Sequence, residues 1–205
     1  MARHDWNESY ASGNPLPWDT GHPDPMLVQF IESGEVKPGR ALEIGSGTGT
    51  NAIWLAQRGF QVLGVDVAPL AVDQAREKLP PALSCRFQVM DFLADAPPEE
   101  TFDFVFDRGC FHIFDEAEER ARFAARVAAA LVPGGSWLSL CGSTEGPPRD
   151  MGPPRRSARD LVQAIEPELE IRQLRSGDFG EEPIRAWLCH SQRRTIAAQP
   201  STRRS

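Results

Sequence analysis

No apolar run in this sequence approaches the ~20 residues that a membrane-spanning helix needs. The opening MARHDWNESY holds no apolar signal core. Both absences point to a cytoplasmic protein that engages no membrane. Cysteine is scarce: Cys85, Cys110, Cys141 and Cys189 lie far apart, with no C-x-x-C pair. That excludes a disulfide framework and a cysteine zinc site, and suits reduced thiols. His4, His22 and His190 have no ligand spacing, so no metal is expected. No internal repeat of the solenoid kind occurs, and nothing marks an internal domain boundary. Positive charge is also short, with 22 basic residues against 29 acidic ones and a net charge of −7. An acidic body repels phosphates, which argues against nucleic acid as the partner and leaves a small molecule. The exception is the basic ending QRRTIAAQPSTRRS, which reads as a frayed, disordered tail over residues 192–205.

What is present is ordinary for a globular monomer. Hydrophobic residues make up 40% of the chain and charged residues 25%, enough for one sizeable core in 205 residues. Short apolar runs alternate with helical patterns, which implies parallel strands joined by crossover helices. Asp24 caps a first helix, Pro25 opens it and Gly34 follows it, with Met26, Phe30 and Leu27 facing inward. RALEIG is the first strand and NAIWLAQR a helix stopped by Gly59. QVLGVD is the second strand, and Pro69 opens a helix with Ala71, Val72, Ala75 and Leu79 on one stripe. CRFQVM and TFDFVF are the third and fourth strands. A helix from about Glu116 to Leu131, ended by Gly134-Gly135, leads into SWLSL, the fifth. Residues 142–156 are dense in Pro and Gly and read as a long loop, functional or mobile. Ser157 caps a short helix ending near Ile165, and LEIRQL with IRAWLCH form a closing hairpin.

The window ALEIGSGTGT, residues 41–50, carries the most chemistry. Gly45 and Gly47 fit the turn of a strand into a ligand-binding helix, where a Cβ would block backbone contact. Gly49 serves either the ligand or helix–strand packing, and Thr50 stands where a dinucleotide fingerprint has its last glycine. Glu43 ends a buried strand, a costly place for an acid unless a cationic group pairs with it. Asp66 ends the second strand and is placed to accept both hydroxyls of a ribose, or merely to cap the next helix. Asp91 and Phe92 end the third strand, where they would take an adenine amino group and flank its ring, unless Phe92 is plain core. Three acids at successive strand ends line the edge at which open α/β sheets bind ligands.

This E-x-G-x-G-x-G loop, with Asp66 and Asp91, resembles the class I methyltransferases that use S-adenosylmethionine. The likeness runs from about Arg40 to Leu140. It implies a Rossmann-like, doubly wound, seven-stranded, mostly parallel sheet with an antiparallel last strand. It also implies that Glu43 and the glycine loop hold the methionine part, Asp66 the ribose, and Asp91 with Phe92 the adenine. Val67 and Asp107 complete the expected cofactor set. Asp107-Arg108-Gly109 is similar to the D-R-G of thiopurine S-methyltransferases. PWDTGHPDP is similar to the P-W-x-x-G-x-P segment of that family and its halide and thiol methyltransferase relatives. The division that follows is a lid segment and helix over residues 1–34, a methyltransferase domain over 35–191, and the tail.

The resemblance implies methyl transfer to a small soft nucleophile: a thiol, a thiopurine, a halide, or a selenium or tellurium oxyanion. Trp18 then rides on a lid over the cofactor, or only staples the N-terminal segment to the domain. Trp6 is a second, weaker candidate of the same kind. Arg108 stabilises an anionic nucleophile, or pairs with Asp107 or Asp115. His112 is a general base or a packing residue. Cys110 is a reactive thiol or a buried filler. The alternatives are an O- or N-methyltransferase using His112, a nicotinamide dehydrogenase, and a non-catalytic cofactor-binding regulator.

Overall fold

The structure is a computed structural model and describes residues 4–147, 152–179 and 184–195. Its centre is a seven-stranded sheet in the order β3-β2-β1-β4-β5-β7-β6. β1 (Arg40–Ile44), β2 (Gln61–Asp66), β3 (Cys85–Val89), β4 (Phe102–Arg108) and β5 (Leu131–Gly142) run parallel. β6 (Leu169–Phe179) and β7 (Ile184–Arg193) form the expected closing pair, with β7 antiparallel to both neighbours.

Two apolar layers cover the sheet. α2 (Pro25–Glu32), α3 (Thr50–Gln57) and α4 (Pro69–Lys78) bury Met26, Leu27, Phe30, Leu55 and Val72 on one face. α5 (Ala117–Ala130) and α6 (Ala158–Ile165) bury Phe123, Val127 and Leu161 on the other, around Trp137. The helix signals read locally hold. Asp24 accepts the Met26 N–H at 2.9 Å, and Ser157 forms a reciprocal capping box with Asp160.

Four features depart from expectation. A short helix, α1 (Trp6–Ala11), occupies the polar start, with Asp5 capping it through the Glu8 N–H. The third crossover, between β3 and β4, has no helix; Asp91 opens a turn there, and Pro97-Pro98 would break any helix. Leu131 is already extended and belongs to β5, so Gly134-Gly135 lie inside that strand, opposite a register shift at Phe102/Phe104. β7 runs to Arg193, past the expected domain end at 191. Residues 196–205 of the tail and 148–151 of the long loop lie outside the described residues. Among the described residues no helix is long and apolar enough to cross a membrane.

The chain moves outward from β1 through β2 to β3, then jumps back to β4 on the other side of β1. The crevice beyond the carboxyl ends of β1 and β4 is therefore the switch point of the sheet, where ligands of open α/β folds bind. Asp107 holds one wall of it from inside. One carboxylate oxygen accepts the Phe111 N–H at 2.9 Å and the other the Trp137 indole N–H at 3.0 Å. Burial still raises the Asp107 carboxyl to about 6. Because that pKa is raised, its stabilising contribution is present below ~4 and lost as pH rises through ~6. Trp137→Phe keeps an aromatic ring in the core but removes the indole N–H donor to the ionised form. The expected cost is ~1–3 kcal/mol in urea denaturation, larger at pH ~8 than at pH ~5.

Candidate active site

The glycine loop leaves β1 with the Gly45 and Ser46 N–H groups donating to the Val65 carbonyl at 2.8 and 3.0 Å. Gly47 has φ +52°, and a Cβ there would stand 2.9 Å from the Tyr10 hydroxyl oxygen. Gly49 is a packing glycine: a Cβ would meet the Phe87 ring at 2.6 Å and Ala75 at 2.9 Å. Gly45 abuts Cys110, whose thiol is pushed well up by burial and so is no thiolate nucleophile.

The acids at the strand ends are occupied to different degrees. Asp66 accepts the Gly47 N–H at 2.8 Å and the Ala68 N–H at 2.9 Å, and burial raises its pKa. It therefore shapes the loop and caps the approach to α4 at once. Asp91 accepts the Leu93 and Ala94 N–H groups at 2.9 and 3.1 Å. Phe92 is core, edge-on to Phe123 at 5.1 Å and beneath the Arg126 guanidinium. Its ring is thus spent on packing, whereas Val67 is 47% exposed beside Asp66. Asp107, expected among the cofactor residues, turns inward as described above.

Glu43 is different. It is buried, and Oε1 accepts the Asn51 amide at 3.1 Å, while Oε2 has no hydrogen-bond partner among the described residues. Burial raises its carboxyl to about 8.

The N-terminal segment lies over this loop. Trp18 donates its indole N–H to Tyr10 at 3.2 Å and meets Trp6 edge-on at 5.6 Å. Thr48 in the loop donates to Asp19 at 2.8 Å, and Asn7 accepts the Leu70 N–H at 2.9 Å. Arg108 faces the same segment, not Asp107 or Asp115. Its Nε donates to Asp24 at 2.6 Å and its Nη1 to the Trp18 carbonyl at 3.3 Å, with the guanidinium 5.0 Å from the Phe179 ring centre. Asp115 pairs instead with Arg156 at 2.7 Å. His112 is buried, with Nδ1 accepting the Gly142 N–H at 2.8 Å.

Sequence reasoning missed Tyr10, Asp19 and Asn51, and saw Asp24 only as a cap. Asn51 did carry a signal, as a poor helix former in the first turn of α3.

A family profile described as a methyltransferase domain matches residues 41–135. Probable thiol methyltransferase 2 of Arabidopsis thaliana is 36% identical over 66% of this chain. The match spans 60% of that relative, less than two thirds of its length. Thiocyanate methyltransferase 1 of Brassica oleracea is 31% identical over 78% of this chain and 70% of its own. The chain belongs to the class I S-adenosylmethionine-dependent methyltransferases, in the thiol and thiocyanate methyltransferase family. A solved structure concerned with conversion of a disulfide bond into a thioacetal group during echinomycin biosynthesis superposes with a TM-score of 0.79. It is 26% identical and covers 93% of this methyltransferase and 92% of its own chain.

The site fits the cofactor of this family. Glu43 Oε2 has no hydrogen-bond partner among the described residues, and a buried carboxyl oxygen left so suits a cationic donor from a ligand. Since Glu43 sits at about 8 in the free enzyme, it is mostly protonated at neutral pH. A cationic ligand selects the carboxylate. Binding at pH ~7 should therefore release about one proton from this group, and affinity should rise with pH through ~8. Calorimetry in buffers of different ionisation enthalpy counts that proton; Glu43→Gln should abolish its release.

Proposed function

We propose that this methyltransferase transfers the methyl group of S-adenosylmethionine to a small soft nucleophile, with a thiol as the acceptor class. The observation that carries the reading is the state of His112. Its Nδ1 lone pair is consumed by the Gly142 N–H, so in the neutral ring the proton sits on Nε2. The one histidine at the methyl-facing edge is thus a hydrogen-bonded packing group and not a ready base. A hydroxyl acceptor, un-ionised at neutral pH, needs such a base. A thiol, a few per cent ionised at neutral pH, does not. The sulfur chemistry named for the Arabidopsis, Brassica and echinomycin relatives supports the same choice.

When bound, S-adenosylmethionine supplies an electrophilic methyl group on a sulfonium. The chain supplies alignment and dryness, and alignment alone is worth ~7–11 kcal/mol. Glu43 takes the ammonium end of the methionine part. The Gly45 and Gly47 backbone lines its path, Asp66 takes the ribose, and Asp91 with Val67 takes the base. Trp18 and Tyr10 close the site from above, with the indole face toward the sulfonium. Arg108 spends two of its three guanidinium nitrogens on Asp24 and Trp18, which fixes its plane beside Phe179. It acts as an oriented donor that favours the thiolate. The acidic body and the free, scattered cysteines favour a cytoplasmic monomer acting on a small molecule and not on nucleic acid.

The test is a screen with labelled S-adenosylmethionine against thiols, thiopurines, halides, thiocyanate and selenium or tellurium oxyanions. Thiols are expected to be methylated. Exclusive turnover of a hydroxyl or amine, with a rate rising through a histidine-like pKa, would overturn the reading. Trp18→Ala should weaken cofactor affinity by roughly tenfold, as loss of a desolvated cation–π contact does. Arg108→Lys, which keeps a cation opposite Asp24 but not the oriented fork, should lower turnover more than it lowers that affinity.

A further inference from the structure

Asn51 stands in the first turn of α3, where an amide side chain adds little to the helix. It spends its hydrogen bonds elsewhere. Nδ2 donates to Glu43 Oε1 at 3.1 Å, and Oδ1 accepts the Asp24 N–H at 2.9 Å. The opposite assignment of the amide would set its NH2 against the Asp24 N–H, two donors face to face, so the chemistry admits one orientation. From Asp24 the line continues through Oδ2 to Arg108 Nε at 2.6 Å, and through Arg108 Nη1 to the Trp18 carbonyl. Asp24 has no slack of its own, because its other oxygen caps α2 at Met26.

The two ends of this line do different work. Glu43 belongs to the cofactor and Arg108 to the acceptor. An amide holds its donor and acceptor at a fixed angle, so a rotation that favours one partner breaks the other. We propose that Asn51 is a positioning residue that locks the cofactor carboxylate Glu43 to the acceptor-side pair Asp24–Arg108, so that both are set in one register. The proposal rests on the reading of Glu43 as the partner of the cofactor ammonium. Asn51 touches neither ligand and acts through its two neighbours. Seating a cation on Glu43 removes any freedom of Oε1 to turn from the amide. The amide in turn fixes the Asp24 backbone, and with it the carboxylate that aims Arg108.

The experiment compares wild type, Asn51→Leu, Asp24→Asn and the double variant. Cofactor affinity comes from calorimetry and thiol kcat/KM from assays at saturating cofactor. Asn51→Leu, close in shape, should weaken cofactor binding by roughly tenfold, the loss expected for a hydrogen bond to a charged group. It should also lower thiol kcat/KM by roughly tenfold even when cofactor saturates, and adding Asp24→Asn should lower it little further, because both changes cut one line. A purely structural Asn51 would lower the melting temperature, leave saturated thiol kinetics intact, or multiply with Asp24→Asn; either kinetic result overturns the proposal. Should Asn51→Leu fail to fold, Asn51→Ser is read by the same criteria. Wild type that bound no cofactor would overturn the assignment of Glu43 itself, and the proposal with it. Normal wild-type binding beside unaltered Asn51 variants would overturn the proposal alone.

Discussion

A buried ion pair between residues 84 positions apart organises this active site. Asp24 is nearly inaccessible and Arg108 is 16% exposed, so neither charge is tolerable alone. Removing one partner of such a pair typically costs ~3–5 kcal/mol, because the other is stranded. The pair therefore determines where the N-terminal segment goes. Asp24 begins α2, which is anchored in the core by Met26, Leu27 and Phe30. The residues before it, including Asp19 and Trp18, must then cross the strand ends. Arg108 takes the Trp18 carbonyl as a further acceptor, and Thr48 takes Asp19. The cover of the site is thus a consequence of satisfying one guanidinium.

The strand-end acids show how an edge can serve two purposes. Asp66, Asp91 and Asp107 each accept backbone N–H groups from residues just beyond them or from the glycine loop. Such bonds make tight turns possible where strands stop, and they point the remaining lone pairs in fixed directions. Glu43 lies inside a strand and has no turn to build. Its second oxygen is left bare, which is costly unless a ligand repays it. Among the described residues Glu43 is thus the strand-end acid with a buried oxygen that no protein group satisfies, and the proposed cofactor contact falls to it for that reason.

Much of this was legible in the sequence where the physics is local. The Asp24-Pro25 helix start, the Ser157 cap, the alternation of strands and helices and the glycine loop depend on neighbours within a few residues. Glu43 was legible because an acid in an apolar strand is a conflict that needs resolving. The partner of Arg108 was not, because the nearby Asp107 and Asp115 were equally charged and the winner came from the far end of the chain. Phe92 was ambiguous for a related reason. An aromatic after a strand packs inward or flanks a ligand according to what lies beneath, and here Phe123 on α5 lies beneath. α1 was hidden by its polarity, since none of its residues is buried and its hold on the domain comes through Tyr10 and Asn7.

The hydroxyl that stands over Gly47 belongs to a phenol whose ionisation burial and the neighbouring Asp66 push far above its usual range. That phenol therefore stays neutral across the physiological range and adds no charge of its own above the glycine loop. What it brings to the cover is shape and an acceptor for the Trp18 indole N–H, so any pull on a visiting cation from above comes from the indole and not from the phenol.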